Sequence, residues 1–291
     1  MIPKEILREV RRIQILTDRA VNDVFAGEYE SVFKGRGMEF DEVRPYSPGD
    51  EIRTIDWNVT ARAGEPYVKQ FVEERELTVM LLVDLSGSGQ FGSTPKLKNE
   101  VAAELCAVLS FVAMKNNDKV GAIIFTDKVE KFIPPKKGTS HSLRIIREFL
   151  AFRPEPCETN MAEALEYLGR VTSKRSVVFL VSDFLCTGYE KPLGIMSRRH
   201  DVIALRIVDP REMELPSMGF LELEDAETGE TVLVDTWSPS LRTAYRKNAV
   251  EFDENLEETL RSVGVDRIDI RTDESYVRPI ELFFRMRERR R

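Results

Sequence analysis

Two separated apolar runs constrain this chain most: Leu77-Thr78-Val79-Met80-Leu81-Leu82-Val83 and Val177-Val178-Phe179-Leu180-Val181. Neither alternates apolar with polar residues, so neither reads as a strand with one wet face. Both read as strands covered on both sides, the pattern of central strands in a parallel sheet. Each run is closed by an aspartate: Asp84 after the first, Ser182-Asp183 after the second. Open parallel sheets bind ligands outside the carboxyl ends of their strands. The aspartates therefore fall where such a fold places its site.

From Leu77 onward, strands alternate with helical stripes. Thr94-Pro95 predicts a helix start, with Leu97, Val101, Leu105, Val108, Leu109 and Val112 on its buried face. Val120–Phe125 reads as a strand. Val129–Ile133 reads as an edge strand stopped by Pro134-Pro135. Helices follow over about 140–151 and 160–172, then a strand over 176–182, a helix near 190–199 and a strand over 202–208. Residues 218–236 read as a hairpin turning at Thr228-Gly229. Ser238-Pro239 opens a long helix ended by Gly264, a last strand runs from Val265 to Ile270, and a helix from about Tyr276 runs to the end.

Ahead of this lies a different region. Residues 3–26 carry a helical stripe through Ile6, Val10, Ile13, Leu16, Val21 and Val24, closed by Gly27. Residues 28–76 hold turn signals, Gly35-Arg36-Gly37 and Ser47-Pro48-Gly49-Asp50, between short strands around Met38–Val43 and Tyr67–Phe71. Trp57 reads as a core residue. Arg36, Arg44, Asp56 and Arg62 either form a buried ion-pair network or face a partner. The chain is thus read as α/β: a doubly wound, mainly parallel sheet with helices on both faces over residues 77–291, preceded over residues 1–76 by a small helix and β-rich element.

Composition narrows the function. No apolar run approaches the ~20 residues of a membrane span, and the charged start Met1-Ile2-Pro3-Lys4-Glu5 does not resemble a signal peptide. A cytoplasmic protein is expected. The net charge of −7 argues against bulk nucleic-acid binding, and the terminal arginines from Arg285 to Arg291 read as a solvated helix end. The three cysteines (Cys106, Cys157, Cys186) and two histidines (His141, His200) show no zinc spacing and no hydrolase pattern.

What remains is an oxygen-rich set: Asp84-Leu85-Ser86-Gly87-Ser88, Thr159-Asn160 and Ser182-Asp183. Carboxylates from Asp84 and Asp183 balance the charge of a hard dication, and Ser86, Ser88 and Thr159 add neutral oxygens, which suits Mg²⁺ (or Mn²⁺). The competing reading is that both aspartates cap local turns through backbone N–H groups.

These three fragments resemble the metal-ion-dependent adhesion site of von Willebrand factor A domains. The resemblance implies that Ser86 and Ser88 bind the metal directly, Thr159 directly or through water, and Asp84 and Asp183 through water. One departure is Glu158, where the pattern usually has glycine. A second signature runs through Phe33-Lys34-Gly35-Arg36-Gly37-Met38-Glu39-Phe40, Tyr46-Ser47-Pro48-Gly49-Asp50, Ile55-Asp56-Trp57 and Ala61-Arg62. With it the chain resembles the domain of unknown function 58 family. That resemblance implies a non-enzymatic, metal-dependent adaptor for a MoxR-type AAA+ ATPase, which offers the ion to an Asp or Glu of a partner or client protein. The alternative is a Mg²⁺-dependent phosphoryl-transfer enzyme. However, a haloacid-dehalogenase-like site wants a second Asp where Ser86 stands, a Walker loop is absent, and no lysine or histidine is tied to the site by spacing.

Overall fold

The computed structural model describes Tyr29, Val32, Phe33 and residues 39–72, 76–152, 158–225 and 229–290. The helix expected over 3–26, the turn at Gly35-Arg36-Gly37, Cys157 and the hairpin tip at Thr228 lie outside the described residues.

The expected α/β class stands. The central sheet has six strands in the order β10-β7-β6-β3-β4-β5. These are β3 (Thr78–Asp84), β4 (Lys119–Phe125), β5 (Val129–Lys136), β6 (Val177–Ser182), β7 (Asp201–Val208) and β10 (Asp266–Arg271). All pairs are parallel except β4–β5. The chain winds outward from β3 to β4 and β5, then returns to the other side of β3 with β6, β7 and β10. The order reverses between β3 and β6. Those are the two strands that end at Asp84 and Ser182.

Both faces of the sheet are covered, because successive side chains in a strand point to opposite sides. Val79, Leu81 and Val83 pack with α2 (Lys98–Lys115), α3 (Thr139–Ala151) and α8 (Val277–Arg289). Met80 and Leu82 pack with α4 (Met161–Val171), α5 (Glu190–Arg199) and α7 (Pro239–Ser262). Tyr29 and Phe33 belong to the first of these layers; the Phe33 ring stands edge-on to Phe179 and Phe284. At about 25 cal/mol per Å² of apolar surface, these two layers are the main favourable term in folding.

Two antiparallel ribbons flank the sheet. The first pairs β1 (Glu39–Pro45) with β2 (Tyr67–Val72) and carries α1 (Trp57–Ala63) in its connection. The second pairs β8 (Phe220–Glu224) with β9 (Thr231–Asp235) and follows the short α6 (Pro210–Met213). Among the described residues no helix is long and apolar enough to cross a membrane.

Several expectations are corrected. Helix α2 begins at Lys98, a turn after Thr94-Pro95, because the Glu100 carboxylate reaches back to accept from Leu97 N–H at 3.0 Å. Leu97 is its N-cap and is 39% exposed, outside the buried face. Strand β5 continues through Pro134-Pro135 to Lys136. At an edge, a missing N–H costs no ladder bond on the open side. Trp57 is exposed. Of the four polar residues read as a network or a partner surface, Arg44 pairs with Asp50 at 2.7 Å, Asp56 caps α1 through Asn58 and Val59 N–H, and Arg36 lies outside the described residues. Arg287 is not simply solvated: it pairs with Asp201 and Asp266 and lies over the Phe33 and Phe283 rings.

Candidate metal centre

The structure brings the five predicted residues to one end of the sheet, at the reversal between β3 and β6. Asp84 ends β3 and is buried. One of its oxygens accepts from Ser86 N–H at 3.0 Å, and the other accepts from the Ser182 hydroxyl at 2.7 Å. The three hydroxyls form a chain. Thr159 Oγ1 donates to Ser86 Oγ at 2.8 Å, and Ser86 Oγ lies 3.2 Å from Ser88 Oγ. Thr159 is delivered by a loop whose next residue, Asn160, donates its N–H to Thr126 O at 2.7 Å and caps α4 through Glu163 N–H.

Gly89 lies where the site loop meets α2. A Cβ there would stand 1.9 Å from the Asn99 side-chain oxygen. A larger residue there would have to turn the Asn99 side chain away from the loop.

Asp183 follows β6. One oxygen accepts from Leu185 N–H at 3.1 Å, and the other accepts from Lys98 Nζ at 2.6 Å. The following residue, Phe184, has φ of 63°, in the left-handed region that costs a bulky L-residue roughly 1–2 kcal/mol. Its ring is fully buried and packs on Tyr189 with centroids 5.9 Å apart. Core packing thus holds the strained turn that aims Asp183 into the site. The turn-capping reading and the ligand reading therefore coexist: each aspartate uses one oxygen for a local N–H.

Asp84, Ser88, Asp183, Lys98 and Asn99 help to line a cavity of about 10 Å³, which is about the room one water or small ion needs. The electrostatics are those of an unbalanced cluster. Burial, and then the neighbouring Asp183, push the Asp84 carboxyl up to about 6, although hydrogen bonds from Ser182 and Ser86 oppose the rise. Among the described residues no group of His, Cys, Asp and Glu forms a metal-binding set. The hydroxyls must therefore complete any coordination. Hard oxygen donors, a small polar cavity and surplus negative charge fit Mg²⁺ or Mn²⁺.

Sequence reasoning missed Lys98 and Glu212, and it gave Ser182 no role of its own. Lys98 Nζ contacts Glu212 Oε1 at 2.5 Å as well as Asp183, and its side chain is only 3% exposed. Burial pulls its pKa down, but the two carboxylates outweigh this and raise it. One signal was available: a lysine in the first helical turn stands at the wrong pole of the helix dipole and needs an anionic neighbour. Glu158 is exposed, so it does not crowd the cluster.

A doubly wound α/β domain with hydroxyls and carboxylates gathered at its switch point is the class that fold and site define. The chain belongs to the family described as protein of unknown function DUF58, which matches residues 42–255. It is 30% identical over 283 residues to the uncharacterized protein Rv1480 of Mycobacterium tuberculosis, covering 96% of this chain and 89% of that one. It is 31% identical over 160 residues to the uncharacterized protein MAV169 of Mycobacterium avium, covering 54% and 94%. Its fold is similar to that of an aerotolerance-related membrane protein from Bacteroides fragilis, with a TM-score of 0.50, 16% identity, and coverage of 74% of this chain and 100% of that one.

Proposed function

We propose that this protein is a metal-dependent interaction module. Ser86, Ser88 and Thr159, with Asp84 and Asp183, would hold one Mg²⁺ or Mn²⁺. When bound, the ion supplies an electrophilic position to which a carboxylate of a partner can add. The partner expected from the resemblance is a MoxR-type AAA+ ATPase, for which this chain would act as adaptor, with an acidic residue of the ATPase or of a client protein as the incoming ligand. The observation that carries the reading is the hydroxyl chain from Thr159 through Ser86 to Ser88, set beside two buried carboxylates. Neutral oxygens grouped around surplus negative charge suit a hard cation.

The phosphoryl-transfer alternative gains Lys98 as a cation beside Asp183. It loses on chemistry. Ser86 stands where an acid/base would be needed.

The test is titration calorimetry with MnCl₂ and MgCl₂ on wild type and Asp84→Asn, paired with capture of the ATPase with and without EDTA. One ion per wild-type chain, lost in the variant, and EDTA-sensitive capture are expected. Unchanged metal binding in Asp84→Asn would remove the site assignment. Metal-dependent hydrolysis of p-nitrophenyl phosphate, lost in the same variant, would favour the enzyme reading.

A further inference from the structure

Lys98 lies against the residues assigned to the metal but belongs to no part of that assignment. Its position is not one a lysine takes for local reasons. It is the first residue of α2, where the helix dipole disfavours a cation. It is also nearly removed from water, which disfavours any charge. What holds it there is anionic: Asp183 Oδ2 at 2.6 Å and Glu212 Oε1 at 2.5 Å. The Phe91 ring, 6.0 Å from Nζ, faces the ammonium as well. Glu212 is fixed in turn, since its second oxygen accepts from Asp209 N–H at 2.9 Å. The cluster therefore holds three carboxylates, from Asp84, Asp183 and Glu212, and one ammonium.

Resting on the metal reading above, we infer that Lys98 is a built-in competitor of the divalent ion: it neutralises Asp183 in the metal-free protein and thereby sets the ion concentration at which the site fills. Its charge repels an incoming dication at close range. Its bond to Asp183 occupies the oxygen not already bonded to Leu185 N–H. Uptake of metal therefore has to loosen the Lys98–Asp183 pair, after which the ammonium keeps Glu212.

The sign of the effect separates this role from a merely structural one. If Lys98 competes, Lys98→Met removes a repulsive charge and leaves buried Asp183 and part-buried Glu212 without this counter-ion. Both changes favour the dication. If Lys98 only positions Asp183, the same variant disorganises a ligand and metal binding weakens. Glu212→Gln is the complementary variant. It leaves Asp183 as the ammonium's one anionic contact and takes a negative charge from the cluster, so metal binding should weaken.

The experiment is calorimetric titration of wild type, Lys98→Met, Glu212→Gln and Asp84→Asn with MnCl₂, with thermal melts of each protein in EDTA and in excess MnCl₂. Lys98→Met should bind Mn²⁺ about tenfold more tightly, or better, because close charges in a partly buried cluster are weakly screened. It should melt below wild type in EDTA and regain more than wild type does on adding Mn²⁺. Glu212→Gln should bind several-fold more weakly. Equal or weaker binding by Lys98→Met, or no greater rescue of its melting temperature by Mn²⁺, overturns the inference, and so does tighter binding by Glu212→Gln. Failure of the metal reading itself looks different: Mn²⁺ binding in wild type that persists in Asp84→Asn places the ion elsewhere and removes both conclusions.

Discussion

Asp84 and Asp209 are both buried aspartates at the carboxyl ends of parallel strands, and they have opposite electrostatics. Asp209, just after β7, accepts from Ser93 N–H, the Ser93 hydroxyl, Arg211 N–H and the Thr272 hydroxyl. Burial alone would raise its pKa, but these donors outweigh it and hold the carboxyl below the usual range. Asp84 accepts from Ser86 N–H and the Ser182 hydroxyl and faces a second carboxylate, so its pKa rises to about 6. Residue type and strand position are the same; the number of donors that meet the charge differs. A saturated carboxylate is a staple, here tying the Ser93 loop and α6 to the turn after β10. An unsaturated one beside another anion leaves its charge to be balanced from outside.

The comparison is broken most directly by removing each carboxylate. Asp209→Ala should destabilise by about 2–4 kcal/mol, since it strands several buried donors at once. Urea denaturation in EDTA would show it as a lower midpoint. Asp84→Asn should instead gain stability in EDTA at pH 7, on the order of 1–2 kcal/mol, because it removes a buried and repelled charge. Similar losses in both variants would end the distinction.

The pH dependence sharpens it. Asp84 has a folded pKa raised above its unfolded value near 4, so its contribution to stability is fully present below pH ~4 and is lost as pH rises through about 6. Asp209 is depressed, so its contribution is present above pH ~4 and is lost as pH falls through its folded pKa. Metal-free melting temperatures from pH 4 to 7 should therefore show the stabilising effect of Asp84→Asn growing with pH. In the wild type, Mn²⁺ affinity should fall as pH drops below about 6, where Asp84 protonates. A flat affinity between pH 5 and 7 would contradict the assignment.

Smaller effects are expected from the hydroxyls. Ser86→Ala, Ser88→Ala and Thr159→Ala should each weaken capture of the ATPase while changing stability by about 1 kcal/mol or less. Capture retained in all three would direct attention to the Phe33–Arg62 segment as the docking surface. The smallest effect belongs to Glu158→Ala. Its side chain is exposed, so Mn²⁺ affinity should stay within about twofold of wild type.

Much of this candidate site was legible in the sequence because its two aspartates sit at strand ends, and buried parallel strands are unusually plain. Val83 pairs with Val181 in the sheet, which puts Asp84 level with Ser182. Thr159 was legible as a hydroxyl just ahead of an expected helix, and the family pattern gave it a role. The partner of Lys98 was not legible, since Asp183 lies 85 residues away and only folding brings them together. Leu97 was misread because the helix start is decided by Glu100 reaching backward, an interaction that outweighs the Thr-Pro signal upstream. Trp57 was misread for a related reason. Size and hydrophobicity favour burial, but its short helix lies on a two-stranded ribbon, and among the described residues no second layer covers it.

The left-handed backbone at Phe184 has a kinetic consequence. The turn carrying Asp183 can relax only if the Phe184 ring leaves its place against Tyr189, and that ring is part of the layer formed with α4, α5 and α7. Local fraying, the usual route by which a surface loop exchanges its amide hydrogens, is therefore closed to this one. The amide of Leu185, bonded to Asp183, should exchange as slowly as amides in β6, although the Leu185 side chain is half exposed. A partner arriving at this edge of the sheet would meet a loop already fixed in one shape, with little ordering left to do on contact.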